Sequence, residues 1–438
     1  MDYELALSYL LEQLPMYQRQ GSKAFKKGLG NISKLCDWKN DPQNKLKCIH
    51  IAGTNGKGSL AHILSAVLQT AGLKIGIYTS PHLLDFRERI RINNKKVNKE
   101  YVTAFVNEYR AEMENTGASF FELSVAMAFD YFASKDVDYA IIETGLGGRL
   151  DSTNIIMEPI LSIITNIGLD HQFFLGDTHE KIAFEKAGII KEKCPIVLGE
   201  FHPDTIDVFD KTSKKMNARL IKAYEQYLLI DVEQNDKYQS ICLNYQHNNS
   251  SDNINVKTDL LGPYQPKNIR TALTAFEILR KEDKRFEEKH FFEGVQNVNS
   301  LSGLEGRWQI FDTKPRLILE CGHNKDGLSA IIENIYKFNC THIIFGCVVD
   351  KEHESIIDHL PRELTYLLCK PDVPRGLEEE KLFYLFEKKG FSNIFKFKSV
   401  KTAYAAANEK CNENSSILVT GSIFVVAECL SLVEKKSI

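Results

Sequence analysis

The chain is 438 residues long, more than one hydrophobic core usually supports, so two compact domains are the expected organisation. A hydrophobic content of 43%, a charged content of 26% and a net charge of −3 are ordinary for a globular protein and give no basic surplus for binding nucleic acid. The ten cysteines contain no C-x-x-C pair, and no apolar stretch approaches the ~18 residues that cross a bilayer. We therefore expect a cytoplasmic protein with reduced thiols and no membrane partner, and a monomer by default.

The N-terminal segment, residues 1–20, mixes acidic with apolar residues and lacks the basic start and apolar core of a signal peptide, which predicts an amphipathic helix. Beyond it, short apolar runs rich in β-branched residues alternate with longer segments of helical period. Four runs are predicted to be buried strands: Cys48–Ala52, 74–78, Tyr139–Glu143 and 160–165. The alternation indicates a mainly parallel sheet covered by helices.

The sequence GTNGKGS, residues 53–59, directly follows the first of these strands and precedes an apolar helical segment. This is the context of a phosphate-binding loop, in which backbone N–H groups, the helix N-terminus and Lys57 attract a triphosphate. The usual G-x-x-x-x-G-K-[ST] spacing is not met, because Ile51 stands at the first glycine position and Gly58 separates Lys57 from Ser59. A plain glycine turn is the alternative interpretation.

Polar residues also stand at the ends of the other three predicted strands. Glu143 closes the third strand, His171 follows the fourth within TNIGLDH, and Ser80 follows the second. Because open α/β sheets bind ligands at the carboxyl ends of their strands, these residues are predicted to hold Mg²⁺ opposite the phosphate loop. Taken singly, each is as readily a capping or loop residue, and only their recurrence on successive strands favours the metal.

The pattern changes between residues 220 and 260. Shorter runs at 227–232 and 241–245 predict a β-hairpin, and the polar patch 247–253 predicts a mobile turn. No helical period is visible there.

A second alternation of apolar runs and helical segments begins after Gly306 and predicts a smaller, Rossmann-like α/β domain. Its predicted strands are 317–319, 343–346, Thr365–Cys369 and Ser416–Thr420. The boundary is expected in the Asn-, Ser- and Gly-rich segment 297–306, which gives domains 1–300 and 301–438. That segment is equally compatible with an internal loop.

Six motifs follow one another in the order GTNGKGS, TSPHL, ERIRIN, ETGLGGRLDSTN, TNIGLDH and EKAGIIK. Together with GPYQPKN, GRW, His323-Asn324, Asp350-Lys351 and VTGS, they make the chain resemble the folylpolyglutamate synthases and dihydrofolate synthases of the Mur ligase superfamily. The resemblance implies a P-loop-containing, mainly parallel sheet domain that binds ATP, followed by a glutamate-ligase domain.

The resemblance also implies roles for individual residues. The residues implied in nucleotide binding are Thr54, Asn55, Gly56, Lys57, Gly58, Ser59, Asn268, Arg307 and Glu320. Those implied in metal binding are Ser80, Glu143 and His171, and those implied in catalysis are Lys57, His323 and Lys186. Those implied in substrate binding are Phe120, Phe121, Asp151, Ser152 and Ser422. The lysine that matches Lys186 is commonly carbamylated in the family.

Without the resemblance, several of these residues have plainer interpretations. Asn268 and Arg307 are surface polar residues, Lys186 is an ordinary lysine on a helix, and the pair Phe120-Phe121 belongs to the core. One position departs from the family pattern, because Glu320 stands where an aspartate is usual. The longer side chain is expected to shift a nucleotide contact by about 1 Å, enough to matter in a preorganised site.

The implied activity is an ATP-dependent amide ligation that adds L-glutamate to dihydropteroate, to reduced folates, or to both, through an acyl phosphate. One alternative is a Mur-type ligase acting on a peptidoglycan precursor, which the LDSTN segment and the lack of a domain before the phosphate loop disfavour. The other is a nucleotide-binding regulator that has lost ligation, with Glu320 as its sign. The presence of Lys57, Glu143 and His171 argues against that loss.

Overall fold

The computed structural model describes residues 1–16, 28–247, 250–349 and 353–434. The chain forms two compact units. The first extends to Leu304 and omits Leu260–Tyr264, a segment that belongs to the second unit together with the residues from Glu305 onward. Among the described residues, no helix is long and apolar enough to cross a membrane.

The first unit contains an eight-stranded sheet. Its strands are β1 (Cys48–Ala52), β2 (Ile75–Tyr78), β3 (Ile90–Ile92), β4 (Lys95–Lys96), β5 (Tyr139–Glu143), β6 (Leu161–Ile164), β7 (Ile196–Leu198) and β8 (Leu220–Lys222). Their order is β4-β3-β2-β5-β1-β6-β7-β8, with β3 and β4 antiparallel at one edge and the other six strands parallel. All four predicted strands are present, each within one residue of its expected ends.

The described part of the first unit also contains helices, some packed on the sheet and others on neighbouring helices. They are α1 (Tyr3–Ser8), α2 (Gly30–Asp37), α3 (Lys57–Thr70), α4 (Lys99–Thr116), α5 (Phe120–Ser134), α6 (Gln172–Leu175), α7 (His179–Ala187), α8 (Ile206–Lys215), α9 (Ala223–Gln226), α10 (Gln265–Glu282), α11 (Glu288–Gln296) and α12 (Val298–Ser302). Shorter turns of 3₁₀ type occur at Pro42–Lys45, Phe86–Arg89 and Ser152–Ile155. The predicted N-terminal helix appears as α1 and a π-helical turn, Tyr9–Gln13, while residues 17–20 lie outside the described part of the chain.

The central strands and α3 form the core of the first unit. Every residue of β1, β2, β5 and β6 is buried, as expected for parallel strands covered on both faces. In α3 every residue from Ser59 to Leu68 is buried. The helix that follows the glycine loop is therefore an internal element, and its first turn is fixed by packing.

A separate antiparallel sheet of three strands lies within the first unit: β9 (Tyr227–Gln234), β10 (Gln239–His247) and β11 (Ser250–Thr258), in the order β11-β10-β9. The predicted hairpin corresponds to β9 and β10. The strand β11 was not predicted, because SSDNINVKT is mostly polar and only its last residues alternate, with Val256 and Thr258 buried and Lys257 exposed. The predicted mobile turn at 247–253 is wrong for the residues that the structure describes there, because His247 ends β10 and residues 250–253 begin β11, which pairs with β10. Residues 248 and 249 lie outside the described residues, and the connection between β9 and β10 is at residues 235–238 instead.

The second unit contains a six-stranded sheet. Its strands are β12 (Arg307–Phe311), β13 (Arg316–Glu320), β14 (Cys340–Phe345), β15 (Thr365–Cys369), β16 (Ile394–Phe397) and β17 (Ser416–Thr420). The order is β12-β13-β17-β14-β15-β16, parallel except for β12. The helices are α13 (Lys325–Ala330), α14 (Ile332–Lys337), α15 (His353–Ile357), α16 (Glu379–Lys388), α17 (Val400–Lys410) and α18 (Ile423–Glu434).

The predicted fold class, a mainly parallel α/β sheet followed by a smaller Rossmann-like α/β sheet, is confirmed. The two strands missed in the second unit, β12 and β16, are its edge strands. Most of their residues are only partly buried, so neither shows the continuous apolar run of a central strand. Asp350-Lys351, one of the motifs behind the resemblance, lies outside the described residues.

Candidate active site

The glycine loop between β1 and α3 is held in a conformation that only glycine adopts easily. Gly53 has φ +150° and Gly56 has φ +83°. A Cβ atom on Gly53 would lie 1.8 Å from Thr165 Oγ1, and one on Gly56 would lie 2.5 Å from Asn268 Oδ1. The helix α3 begins at Lys57, inside the motif, so its first N–H groups face the loop.

The segment after β6 holds this loop in place. β6 pairs in parallel with β1, and the loops that leave their carboxyl ends meet. The Thr54 backbone N–H donates to the Asn166 carbonyl at 3.0 Å, and the Asn55 N–H donates to Asn166 Oδ1 at 2.9 Å. The Thr165 hydroxyl donates to the Asn55 carbonyl at 2.6 Å. TNIGLDH therefore fixes the shape of the phosphate loop, a role that the sequence analysis did not give it.

Two ammonium groups converge on the carbonyl oxygen of Gly53. Lys57 Nζ donates to it at 3.0 Å and to the Thr54 carbonyl at 3.2 Å, and Lys186 Nζ, from α7, donates to it at 2.9 Å. Lys186 is only 3% exposed. Burial, and then the charge of Lys57, lower the pKa of Lys186 to about 7. The loop is thus a concentrated cationic region at a helix N-terminus, suited to an anion.

Glu143, at the end of β5, lies beside the first turn of α3. Its carboxylate is buried, and Oε2 accepts a hydrogen bond from the Ser80 backbone N–H at 3.1 Å. A Cβ atom on Gly58 would lie 3.6 Å and 3.9 Å from the two carboxylate oxygens. The missing side chain of Gly58 therefore leaves space next to a buried acid, which is what a hydrated cation would require.

His171 lies at the same edge of the sheet, on the segment that follows β6. His171 has φ +52°, an uncommon conformation for a residue with a side chain, and it is the N-cap residue of the short helix α6. Its Nε2 is 3.9 Å from Asp170 Oδ2. Ser80, Glu143 and His171 follow β2, β5 and β6, which lie around β1 in the sheet, so the three predicted metal ligands occupy one edge.

Ser59 and Asn268 are connected through a residue that the sequence analysis did not single out. Gln265 Nε2 donates to Ser59 Oγ at 3.3 Å, and Gln265 Oε1 accepts from Asn268 Nδ2 at 2.9 Å. All three side chains are buried. Gln265 opens α10 and stands in the GPYQPKN motif, so its position beside Asn268 in a quoted motif was the available signal.

Three of the four predicted residues of the second unit, Glu320, His323 and Ser422, lie at or just after the carboxyl ends of two neighbouring strands, β13 and β17, and the fourth, Arg307, begins β12 and pairs with Glu320. The Gly421 N–H donates to the Gly322 carbonyl at 3.2 Å, and the Thr420 hydroxyl donates to the same oxygen at 3.3 Å. His323 Nδ1 lies 3.1 Å from the Cys321 carbonyl, and Ser422 Oγ accepts from the Phe424 N–H at 3.2 Å. His323 and Ser422 thus stand on two loops that are bonded to each other.

Glu320, the residue that departs from the family pattern, is buried within the second unit. Its Oε2 accepts a hydrogen bond from the Tyr264 hydroxyl at 2.6 Å and another from the Trp308 N–H at 2.8 Å. Burial raises the pKa of Glu320, and the charge of Arg307 opposes that rise. The longer side chain therefore has partners inside the unit that fit its length.

Comparison with known protein families matches each unit to a domain of known type. Residues 51–276 match the Mur ligase middle domain, and residues 306–423 match the Mur ligase glutamate ligase domain. The dihydrofolate synthase/folylpolyglutamate synthase of Bacillus subtilis is 30% identical over 414 residues, which cover 92% of this chain and 94% of that protein. The chain belongs to the folylpolyglutamate synthase and dihydrofolate synthase family of Mur ligases.

Solved structures of this synthase family have the same fold. Mycobacterium tuberculosis folylpolyglutamate synthase, complexed with ADP and AMPPCP, matches with a TM-score of 0.84 at 26% identity over 98% of this chain and 99% of that one. E. coli FolC in complex with DHPP and ADP matches with a TM-score of 0.82 at 27% identity over 100% and 99%. A probable bifunctional folylpolyglutamate synthase/dihydropteroate synthase of Haloferax volcanii is 29% identical, and the chain spans about half (50%) of its length.

The four residues of this synthase that were predicted to bind a pterin have different environments. Phe120 is buried and packs edge-on against Phe86 at 5.7 Å. Phe121 lies against the loop after β5, where a Cβ atom on Gly145 would be 2.4 Å from its ring. Asp151 is buried and accepts from the Leu146 N–H at 2.7 Å and the Thr153 N–H at 3.0 Å, capping the turn that starts at Ser152.

Proposed function

We propose that the chain is an ATP-dependent ligase that joins the amino group of L-glutamate to the carboxyl group of dihydropteroate, of reduced folates, or of both. The observation that carries the proposal is Lys57, whose ammonium group is held by the Gly53 and Thr54 carbonyls at a glycine loop that opens α3. Such a loop suits a triphosphate. Family membership and the names of the relatives support the choice of acceptor.

The reaction has two steps. A carboxylate is a poor electrophile, so its oxygen first attacks the γ-phosphorus of ATP, the bond to ADP breaks, and an acyl phosphate forms. The amine of glutamate then attacks the acyl carbon and loses a proton, and phosphate leaves. When ATP binds, Lys57 would bond to phosphate oxygens in place of the Gly53 and Thr54 carbonyls. Its positive charge would then stabilise the transfer of the phosphoryl group. No protein nucleophile is required.

The chain's own residues also fit Mg²⁺. Ser80, Glu143 and His171 are the proposed ligands, and the space beside Gly58 next to the Glu143 carboxylate supports the assignment. When bound, the cation would neutralise charge on the transferred phosphoryl group. In the absence of a ligand, the Ser80 N–H keeps the Glu143 carboxylate oriented.

Lys186 is proposed to carry a carbamate, as the resemblance implies. Only a neutral amine adds to CO₂: the nitrogen bonds to carbon, one C–O π bond breaks, a proton is released, and the neutral amine becomes an anion. A pKa lowered to about 7 supplies neutral amine near neutral pH. In ¹³C-labelled bicarbonate, a carbamate carbon resonance is expected for the native chain. If Lys186→Arg showed the same resonance, the modification would lie elsewhere.

The remaining predicted residues are proposed to bind the other groups. Asn268 and Arg307 would contact the nucleotide, Phe120, Phe121, Asp151 and Ser152 the pterin, and His323 and Ser422 the glutamate or phosphate. Glu320, which the resemblance implies in nucleotide binding, accepts two internal hydrogen bonds, so a positioning role through Trp308 and Tyr264 suits it better than direct contact. Domains 1–300 and 301–438, a monomer and a cytoplasmic location complete the proposal.

Product analysis by mass spectrometry tests the function. The purified chain is given ATP, Mg²⁺ and dihydropteroate, tetrahydrofolate or a peptidoglycan precursor, each with and without glutamate, and phosphate release is followed in parallel. Glutamate-dependent phosphate release with a glutamylated pterin product is expected, and Lys57→Ala should abolish it. Turnover only with the peptidoglycan precursor would point to a different Mur-type ligase. No glutamate-dependent turnover with any acceptor would indicate a regulator.

A further inference from the structure

Two histidines and an aspartate that the proposed reaction does not use cluster in the first unit. His179 is the first residue of α7, and His202 and Asp204 lie on the loop between β7 and α8. The two imidazole rings face each other with centroids 4.0 Å apart and an angle of 33° between their planes. Each of the three residues offers one ligand atom, and these atoms lie within 4.8 Å of one another.

A single carboxylate oxygen is nearly equidistant from one nitrogen of each ring. Asp204 Oδ2 is 3.8 Å from His179 Nδ1 and 3.9 Å from His202 Nδ1, too far for a hydrogen bond to either. Ligand atoms bound to Zn²⁺ at 2.0–2.2 Å in a tetrahedron are roughly 3.3 Å apart. The two distances to Asp204 Oδ2 would therefore need to shorten by about 0.5 Å, and the distance between the two imidazole nitrogens, which is within 4.8 Å, by no more than about 1.5 Å, changes that side-chain rotation provides.

The ligand types select the cation. Imidazole nitrogen favours Zn²⁺ and neighbouring transition metals, whereas Mg²⁺ and Ca²⁺ prefer sites made of oxygen alone. We propose that His179, His202 and Asp204 form a binding site for Zn²⁺, with three protein ligands and a remaining position for water. It is separate in sequence and in ligand set from the Ser80, Glu143 and His171 group.

The surroundings contain one unfavourable and two favourable features. The N-terminus of α7 carries partial positive charge, which opposes a cation, but the Asp204 carboxylate and Glu180 in the first turn of the helix offset it. The Asp204 N–H donates to His202 Nδ1 at 3.3 Å, a long bond that a cation at this nitrogen would replace. The His179 and His202 side chains are 27% and 28% exposed, so an ion reaches them without opening the core.

Binding would connect two elements of the first unit. His179 begins α7 and Lys186 lies in the last turn of the same helix, where it bonds to the Gly53 carbonyl. A metal would join the start of α7 to the loop that follows β7. The site exists in the folded chain and not in the unfolded chain, so bound Zn²⁺ should raise the melting temperature.

The test is equilibrium dialysis of the chelator-treated full chain against ZnCl₂, with thermal unfolding measured on the same samples. The variants are His179→Gln, His202→Gln and Asp204→Asn, and the controls are His171→Gln in the proposed Mg²⁺ site and His359→Gln at an exposed position of the second unit. One Zn²⁺ equivalent and a higher melting temperature are expected for the native chain and both controls. Loss of a direct ligand should weaken binding by at least on the order of 100-fold, since loss of an outer-shell partner alone costs 10–100-fold.

The histidine variants replace partly exposed side chains, so they should match the native melting temperature when no Zn²⁺ is present. If all three cluster variants kept native affinity, the ion would be bound elsewhere, for example by thiols, and the proposal would be overturned. The same conclusion would follow if the native chain bound no Zn²⁺, or if only His171→Gln lost it.

Discussion

Gly58 is the residue whose lack of a side chain has the most direct chemical consequence. A methyl group there would make ordinary contact with the Glu143 carboxylate at 3.6 Å, so Gly58→Ala should fold with nearly native stability. It would, however, occupy the space proposed for the hydrated cation. We expect ligation to fall by roughly tenfold or more, with a higher requirement for Mg²⁺, measured as turnover across a Mg²⁺ titration.

The contrasting variant is Gly53→Ala. Its Cβ would lie 1.8 Å from Thr165 Oγ1 on a backbone with φ +150°, so it should lower stability as well as activity. A Gly58→Ala enzyme with native turnover at every Mg²⁺ concentration would show that the space beside Glu143 is not used by the cation.

Lys186 gives the first unit a predictable dependence of stability on pH. Its pKa is 10.5 in the unfolded chain and about 7 in the folded one. Below pH 7 both states hold the proton, and the folded state carries the full penalty of a buried ammonium group. Between pH 7 and 10.5 the unfolded chain binds more protons, so the stability of the folded state rises with pH.

Lys186→Met removes this contribution. In CO₂-depleted buffer, the free energy of unfolding of the native chain should rise by about 2 kcal/mol relative to the variant between pH 7 and pH 9. One titrating group can change this free energy by at most about 1.4 kcal/mol per pH unit. Urea unfolding at several pH values measures the difference. A constant difference across the range would mean that Lys186 titrates near its ordinary pKa.

At the scale of elements, the sequence predicted what depends on local pattern. The buried strands β1, β2, β5 and β6 are continuous apolar runs, and the polar residues at their ends fall at one edge of the sheet because parallel strands share a direction. The sequence did not predict the edge strands β12 and β16 or the polar strand β11. These segments form strands because they pair with a neighbouring strand, and their own composition does not indicate it.

Contacts between distant segments were the other limit of prediction. Asn166 binds the phosphate loop through its amide and carbonyl, and Gln265 bridges Ser59 and Asn268. The contacts of Asn166 with the loop and of Gln265 with Ser59 do not follow from spacing, because their partners are more than a hundred residues apart, whereas Gln265 and Asn268 are three residues apart on α10. The lowered pKa of Lys186 likewise results from burial, which the sequence of a helix does not reveal.

The packing of α11 on α3 depends on one glycine. A Cβ atom on Gly294 would lie 2.4 Å from Val67 Cα, a backbone atom that cannot rotate away. Gly294→Ala should therefore destabilise the chain by about 3 kcal/mol. Val67 is ten residues beyond Lys57, about 15 Å along the helix, so ADP affinity below the melting temperature should stay near native. Thermal unfolding and calorimetric titration measure the two quantities.

Gly30 provides the matched control for that substitution. It is exposed at the start of α2, and a Cβ atom there meets nothing within 4 Å, so Gly30→Ala should change stability by no more than about 0.5 kcal/mol. Equal effects of the two substitutions would show that α11 and α3 can separate without cost.

At the scale of the whole molecule, two units with separate hydrophobic cores should not unfold as one. The first unit contains two buried clusters, one that includes Tyr78 and Ile142 and one that includes Ile164 and Leu198, and the second unit has its own cluster around Phe345, Tyr366 and Phe386. We expect two transitions in chemical denaturation, because chains of more than one domain usually depart from two-state behaviour.

A non-hydrolysable ATP analogue should shift one of those transitions. Ligand at 100 times its Kd adds about 2.7 kcal/mol to the state that binds it, and the glycine loop, Lys57 and Lys186 all belong to the first unit. Tryptophan fluorescence follows the units separately, since Trp38 lies in the first and Trp308 in the second. The signal of Trp38 should move to higher denaturant, and Lys57→Ala should remove most of that shift. If both signals moved together in the native chain and in Lys57→Ala alike, stabilisation would not come from the loop, and the assignment of the phosphate site to the first unit would be wrong.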